Sequence, residues 1–325
     1  MKEILITENE AGKRLDSFLK SYLKEAGSGF IYKMLRKKNI TLNGKKAEGT
    51  EKLSKGDSVK IFFSDETFEK FRGKAGIEAV SFKGTSGKLG TLPVIYEDEN
   101  IVLVNKPAGV LSQKADKNDV SVNEWLIDYL LNNGSVTAES LETFRPSACN
   151  RLDRNTSGLI ICAKNLAGSR VMSSLIKDRE VEKYYRTLVS GKVTKSLKLT
   201  GFLYKDEATN KVNIKKEDPQ DDRYSYIETE YTPVEFFADK DLTLLEVKLI
   251  TGKPHQIRAH LSSIGHPIIG DVKYGGKKLG RNSYQLLHSY RLVFPKVMPS
   301  GFEHLSGKEF MAKMPDTFSN IIGDK

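Results

Sequence analysis

Asp153 is the residue from which chemistry can first be argued. It lies in Cys149-Asn150-Arg151-Leu152-Asp153-Arg154-Asn155-Thr156-Ser157-Gly158, between two arginines and beside a polar turn, and the apolar run Leu159–Ala163 follows. The pattern predicts strand, tight loop, strand, with the carboxylate displayed at the loop. Guanidinium groups within hydrogen-bond reach favour the charged form of a carboxylate, so Asp153 is expected to be ionised at neutral pH. That state suits a nucleophile or a base and not a general acid. Glycoside hydrolysis would need a second carboxylate flanking the bond. Asp178 and Glu180 stand at a predicted helix end with no motif around them.

The stretch Arg151–Leu159 reads R-L-D-R-x-T-S-G-L, and with the short apolar strand and Ala163-Lys164 it resembles the central motif of the RluA-type pseudouridine synthases. These are RNA-modifying enzymes in which the aspartate is essential. Asn105-Lys106-Pro107-Ala108-Gly109 is similar to the family's first motif, and Lys183-Tyr184-Tyr185 matches its K-x-Y element. Thr251 to Gly275 carries T-G-x-x-H-Q-I-R-x-H-L and then G-H-P-I-x-G-D-x-x-Y-G, and Leu287–Phe294 resembles the closing strand.

The resemblance implies that Asp153 is catalytic and that Arg258 is its salt-bridge partner. It also implies that Tyr185 lies against the target uracil. Arg151 would fill the space of a base drawn out of its stack, a step that costs a few kcal/mol. The sequence departs from the family at Asn150, where histidine is usual; asparagine can hydrogen-bond but cannot titrate, so no charge role is expected there. The implied reaction, uridine to pseudouridine, involves neither redox change nor phosphate transfer, and no cofactor is expected. The expected substrate is 23S ribosomal RNA. The alternatives are transfer RNA as substrate, or a non-catalytic RNA-binding or ribosome-assembly protein, which would have no use for Asp153, Tyr185 and Arg258 in these settings.

With 325 residues, 38% hydrophobic and 29% charged, the chain has room for two domains at ~100–200 residues each. No run approaches the ~18 apolar residues of a membrane span, and Met1 to Glu10 lacks the features of a secretory signal. The two cysteines, Cys149 and Cys162, fit a reducing compartment. A cytoplasmic monomer is expected. His255, His260, His266 and His288 cluster in the sequence, but not at the spacing of a zinc set. They read as packing and hydrogen-bonding residues, with no metal expected.

Charge is concentrated near the N-terminus, where residues 12–60 hold 13 Lys/Arg against 5 Asp/Glu. Such concentration is the footprint of a polyanion binder. Leu15, Phe18, Leu19, Tyr22, Leu23 and Ala26 predict an amphipathic helix over Lys13 to Ala26, ended by Gly27-Ser28-Gly29. A second helix is expected from Phe30 to Lys38. It would bury Phe30, Ile31, Met34 and Leu35 and present Lys33, Arg36, Lys37 and Lys38, the candidate RNA-binding residues. Ile40–Leu42, the hairpin signal Asn43-Gly44 and the strand Val59–Phe63 follow. The order resembles the small RNA-binding domain of ribosomal protein S-four. Ser64 to Thr91 lacks sustained periodicity and reads as a connection. Within it, Gly84–Lys88 has the wrong spacing for a phosphate loop. The domains are set at 1–75 and 92–325, with a linker over 76–91.

The second domain opens with strands at Pro93–Tyr96 and Ile101–Val104. Ser121-Val122-Asn123-Glu124 is a capping-box signature for a helix burying Val122, Trp125, Leu126, Tyr129 and Leu130. Asn165 caps another helix, with Leu166, Met172, Leu175 and Ile176 inward. Val181–Val189 and Thr243–Thr251 alternate as strands, and residues 190–240 suggest only short strands and loops. Pro254 suits the first turn of a helix with Ile257, Leu261 and Ile264 as its stripe and Gly265 at its end. The fold class expected is α+β: the S-four-like domain, then a catalytic domain with a mixed, largely antiparallel sheet and flanking helices.

Overall fold

The apolar stripe of the N-terminal segment folds as read, but over a shorter span. In the computed structural model, which describes residues 1–7, 9–72, 87, 89–116, 118–138, 140–206, 211–278 and 284–323, the first part runs β1 (Lys2–Leu5), α1 (Leu15–Tyr22), α2 (Ser28–Arg36), β2 (Ile40–Leu42), β3 (Lys45–Lys46), β4 (Ser58–Ile61) and α3 (Asp65–Arg72). Helix α1 stops four residues before Ala26, because the Glu25 N–H turns away to the Phe71 carbonyl at 3.0 Å. Helix α2 starts two residues earlier than expected, at Ser28. Ile31, Met34 and Leu35 face the core, Phe30 is half-buried, and Lys33, Arg36, Lys37 and Lys38 are exposed.

Helix α3 and strand β1 are corrections to the sequence reading. The stretch taken as a connection from Ser64 is helical to Arg72, since Phe68 is buried and Phe71 stacks on Phe30 with ring centroids 4.1 Å apart. Two aromatic anchors in an eight-residue helix that is otherwise polar are too few to register as periodicity. Strand β1 pairs with β4, so the small sheet has the order β1-β4-β2-β3, all antiparallel. The linker expected over 76–91 lies mostly outside the described residues.

The second part runs β5 (Val94–Glu97), β6 (Ile101–Lys106), α4 (Val122–Asn132), α5 (Ser140–Thr143), β7 (Ser147–Ala148), β8 (Ser157–Ala163) and α6 (Leu166–Lys177). It continues with β9 (Glu182–Ser190), β10 (Leu197–Asp206), β11 (Lys211–Lys215), β12 (Ser225–Phe237), β13 (Leu242–Leu249) and α7 (Gln256–Ser263). It closes with β14 (Leu287–Val293), β15 (Glu309–Met311) and α8 (Asp316–Ile322). One sheet takes all these strands in the order β11-β10-β12-β13-β9-β14-β8-β6-β5, with β15 on β14 and β7 on β8. Pairing is antiparallel except where β8 meets β14. There it is parallel and holds only His288↔Ser157 and Ser289↔Gly158.

Helix α4 has its capping box, with Ser121 and Glu124 each satisfying the other's backbone. The Asn165 side chain caps α6 by accepting from the Gly168 N–H at 2.8 Å. The polar stretch 190–240 was under-read. It holds β10 and β12, ten and thirteen residues long. On β12 the inward positions Ile227, Thr229 and Tyr231 alternate with the polar residues Glu228 and Glu230. A buried threonine and tyrosine carry that face, which hides its period from a hydrophobicity reading. The core under the sheet joins Trp125, Leu126, Ile160, Val189, Leu245, Val247, Ile257 and Leu261. Among the described residues no helix is long and apolar enough to cross a membrane.

Candidate active site

The loop between β7 and β8 carries Asp153, and its shape is fixed by its own neighbours. The Asn150 side chain accepts from the Ile161 N–H at 2.8 Å, tying the loop to β8. That is a hydrogen-bonding role for which no titration is needed. Ser112 Oγ bridges the Leu152 N–H and carbonyl, both at 3.0 Å, and the Thr156 N–H closes the turn onto the Asp153 carbonyl at 3.0 Å. Gly158 then brings β8 against β14. Its φ is +115°, and a Cβ there would lie 2.2 Å from the Ser289 carbonyl oxygen.

Beneath the loop lies Lys106, fully buried, with its three ammonium donors on the carbonyls of Pro107, Val110 and Arg154 at 3.0, 2.8 and 3.0 Å. Burial pushes its pKa down to about 7, and the negative charge of Asp153 pulls the other way. The motif lysine thus ties the loop after β6 to the loop of Asp153. Arg154 adds to the tie, donating from Nε to the Gly109 carbonyl at 3.2 Å.

Arg258 reaches Asp153 from α7. Its Nη1 donates to Asp153 Oδ2 at 2.9 Å, while Nε and Nη2 donate to Asp271 Oδ2 and Oδ1 at 2.6 and 2.8 Å. Arg258 and Asp271 are buried, whereas Asp153 keeps 29% of its side chain exposed. One guanidinium therefore serves two carboxylates, and the open one faces the cleft. Helix α7 begins after Pro254, not with it, because His255 adopts left-handed backbone with φ 54° as the N-cap.

That bend sets the His255 imidazole beside the aspartate, with Nε2 3.8 Å from Asp153 Oδ2 and Nδ1 2.8 Å from the Tyr274 hydroxyl. The Val212 N–H donates to the same hydroxyl at 3.1 Å. The Tyr274 hydroxyl thus accepts from Val212 and pairs with His255 Nδ1. Burial lowers the His255 pKa, and Asp153 opposes the shift.

Tyr185 is buried on the inward face of β9, and burial raises its pKa to about 12, so it presents a neutral ring. Asp153, Arg151, Tyr185 and Arg258 all line one cleft of about 920 Å³. The exposed Arg151 stands on its wall. Lys33, Arg36, Lys37 and Lys38 are elsewhere, on and just after α2. The cleft wall also holds Arg154, Lys177, Arg179, Lys183, Lys205, Lys253 and Lys273, and among the described residues Asp153 is its sole carboxylate. A cleft of this charge suits a polyanion.

The four clustered histidines are spent on internal bonds. His260 Nδ1 meets Thr229 Oγ1 at 3.0 Å, His266 Nδ1 the Ser190 carbonyl at 2.8 Å, and His288 Nδ1 Ser157 Oγ at 2.8 Å. Among the described residues no three His, Cys, Asp or Glu side chains group as a metal site. Sequence reasoning did not single out Lys106, Asp271, Tyr274 or Lys183, and it read His255 as a packing residue, although each lies in a motif it had marked. Motif spacing marks a segment and not which of its side chains faces the cleft.

Comparison with known proteins adds the following. A family described as RNA pseudouridylate synthase matches residues 100–263. A protein named ribosomal large subunit pseudouridine synthase C, from Rickettsia bellii, is 32% identical over 330 residues, covering 98% of this chain and 100% of its own length. One of the same name from Vibrio vulnificus is 31% identical, covering 98% and 94%. Among solved structures, human RNA pseudouridylate synthase domain containing 4 superposes with TM-score 0.54 at 19% identity, over 75% of this chain and 94% of that one, a likeness of fold.

Proposed function

The chain belongs to the RNA pseudouridine synthase family, and on that premise we propose that Asp153 carries out the isomerisation, with uridine in 23S ribosomal RNA as substrate. The observation that carries the reading is the 2.9 Å pair of Asp153 with Arg258 in a cation-lined cleft that also holds Tyr185. The relatives named above act, by their names, on the large ribosomal subunit.

The reaction breaks N1–C1′, turns the uracil, joins C5 to C1′ and releases the C5 proton. An ionised carboxylate beside the ribose serves either as nucleophile at C1′ or as base toward the C2′ hydrogen. As nucleophile it bonds to C1′ while N1 leaves with the electron pair; C5 then displaces the carboxylate. Either route needs Asp153 charged and shielded from water, and a buried charge needs a partner, which Arg258 supplies. The Tyr185 ring provides the face for an unstacked base. Arg151, exposed on the cleft wall, fills the gap in the stack left by the flipped nucleotide.

The N-terminal part is an S-four-like RNA-binding domain in this reading, extending through α3. Its support is the exposed row Lys33, Arg36, Lys37 and Lys38 on a helix whose other face is core. Phosphate contacts of this kind fix position without reading sequence.

The test is pseudouridine mapping of ribosomal and transfer RNA from cells lacking the gene, complemented with wild type or with Asp153→Asn. Sites lost and restored only by wild type name the substrate and tie it to the aspartate. Lost sites confined to transfer RNA would overturn the ribosomal assignment, and no lost site at all would favour a binding protein.

A further inference from the structure

Among the described residues Lys183 is a largely buried cation with no bonded counter-charge. It is 9% exposed, and among the described residues it makes no hydrogen bond or ion pair. The charged neighbour acting on it is Arg179, a second cation, and burial also weighs against its charge. A largely buried ammonium without a bonded partner is costly, and one that opens on a cleft is a ready seat for an anion. The open side of that seat is the cleft, which Lys183 lines together with Tyr185 and Asp153.

Three details shape the seat. Lys183 and Tyr185 are alternate residues of β9, so they share its inward face about 7 Å apart along the strand. A base and its flanking phosphate can bridge that span. The Lys183 ammonium lies beside the Gly252–Lys253 turn, 4.0 Å from where a Cβ on Gly252 would be. Arg179 follows the C-terminus of α6 in left-handed backbone, φ 63°, where glycine or asparagine is the cheap choice. The chain accepts that strain and places a guanidinium on the cleft wall next to Lys183.

We propose that Lys183, with Arg179 and Lys253 around it, is the seat of the backbone phosphate adjoining the nucleotide whose base lies on Tyr185. The inference rests on the RNA-substrate reading above and adds a residue that fixes the register of the strand relative to Asp153. The phosphate supplies the charge that Lys183 lacks, while Tyr185 takes the base and Asp153 meets the sugar.

Equilibrium binding of a short oligouridylate, measured against salt for wild type, Lys183→Met and Lys183→Arg, tests the seat without depending on turnover. Lys183→Met keeps the unbranched, apolar stem of the side chain and removes its charge. It is expected to lower affinity about tenfold at low salt and to flatten the slope of log affinity on log salt by ~0.7. Lys183→Arg is expected to restore both. Inorganic phosphate is expected to raise the thermal midpoint of wild type more than that of Lys183→Met.

An unchanged slope in a folded Lys183→Met protein would overturn the proposal, as would loss of affinity in both variants with the slope intact, which marks packing. Should Lys183→Met not fold, Arg179→Gln carries the same test, with a smaller loss and the same flattening expected. Isomerisation of ribosomal RNA by wild type is followed in parallel. Its failure beside a Lys183-dependent slope sinks the reaction reading alone, and turnover beside an unchanged slope sinks the phosphate seat alone.

Discussion

Asp271 holds Arg258 at two points, 2.6 and 2.8 Å, and so aims the remaining Nη1 at Asp153. The buried pair orients a guanidinium towards a carboxylate that stays partly open to the cleft. Asp271→Asn keeps the shape and removes the charge. It is expected to cost about 2–4 kcal/mol of stability, because a buried guanidinium loses its bonded carboxylate, and to lower kcat ten- to a hundredfold. Urea unfolding and single-turnover kinetics measure the two effects. Wild-type values for both would refute the orienting role.

Asp153→Asn is expected to lower turnover at least a thousandfold while leaving RNA affinity within about threefold, since an interaction made at the reacting centre governs rate and not binding. Release of the C5 hydrogen from tritiated uridine in the RNA reads the rate, and filter binding reads the affinity. Appreciable turnover by this variant would remove the aspartate from the mechanism.

Tyr274→Phe deletes the hydroxyl that accepts from Val212 and faces His255 Nδ1. His255 Nδ1 then loses its hydrogen-bond partner. A tenfold fall in kcat is expected with KM little changed, and about 1 kcal/mol of stability lost for the orphaned N–H. A fall in KM-dependent terms alone would assign Tyr274 to binding.

His288 is buried between Ser157 Oγ and the Ala312 carbonyl, and burial pushes its pKa down to about 4. The fold holds it neutral while the unfolded chain protonates near 6.5. The unfolded state therefore binds more protons between these values, and stability falls as pH drops from about 6.5 towards 4, then levels in this contribution. Urea midpoints over that range are expected to decline more steeply for wild type than for His288→Asn. Parallel curves would contradict the neutral assignment.

Exchanging Lys33, Arg36, Lys37 and Lys38 together for glutamine is expected to leave folding intact, since all four are exposed. RNA binding should weaken, and its salt slope should flatten by up to ~0.7 per lost contact. An unchanged slope would leave α2 without a role in RNA binding.

Much of the frame was legible in the sequence. The α4 capping box, the Asn165 cap and the alternation of β9 and β13 are local signals, and local geometry follows them. The long β12 was missed because Thr229 and Tyr231 line its buried side, and β10 because Gly201 stands at a buried position of its short inward row, so hydrophobicity does not alternate clearly in either. Helix α3 was missed because Phe68 and Phe71 acquire their partners from α1 and α2. Arg258 was expected opposite Asp153 only through family resemblance. Asp271, which aims it, and Lys106, which anchors the loop, are acids and bases buried by tertiary contact, and no spacing in the chain reveals burial.

The sheet has one short parallel seam, two residue pairs long, between β8 and β14. Asp153 enters from the β8 side, while Tyr185 and Arg258 belong to the side of β9 and β13. Asp153 and the Arg258 that bonds it thus sit on opposite leaves of a book whose spine is thin. Gly158, with no room for a side chain against Ser289, sets how far that book can close. Alignment for the reaction is therefore a tolerance of the spine: a change there would open a gap at Asp153 while every strand on either leaf stayed in register.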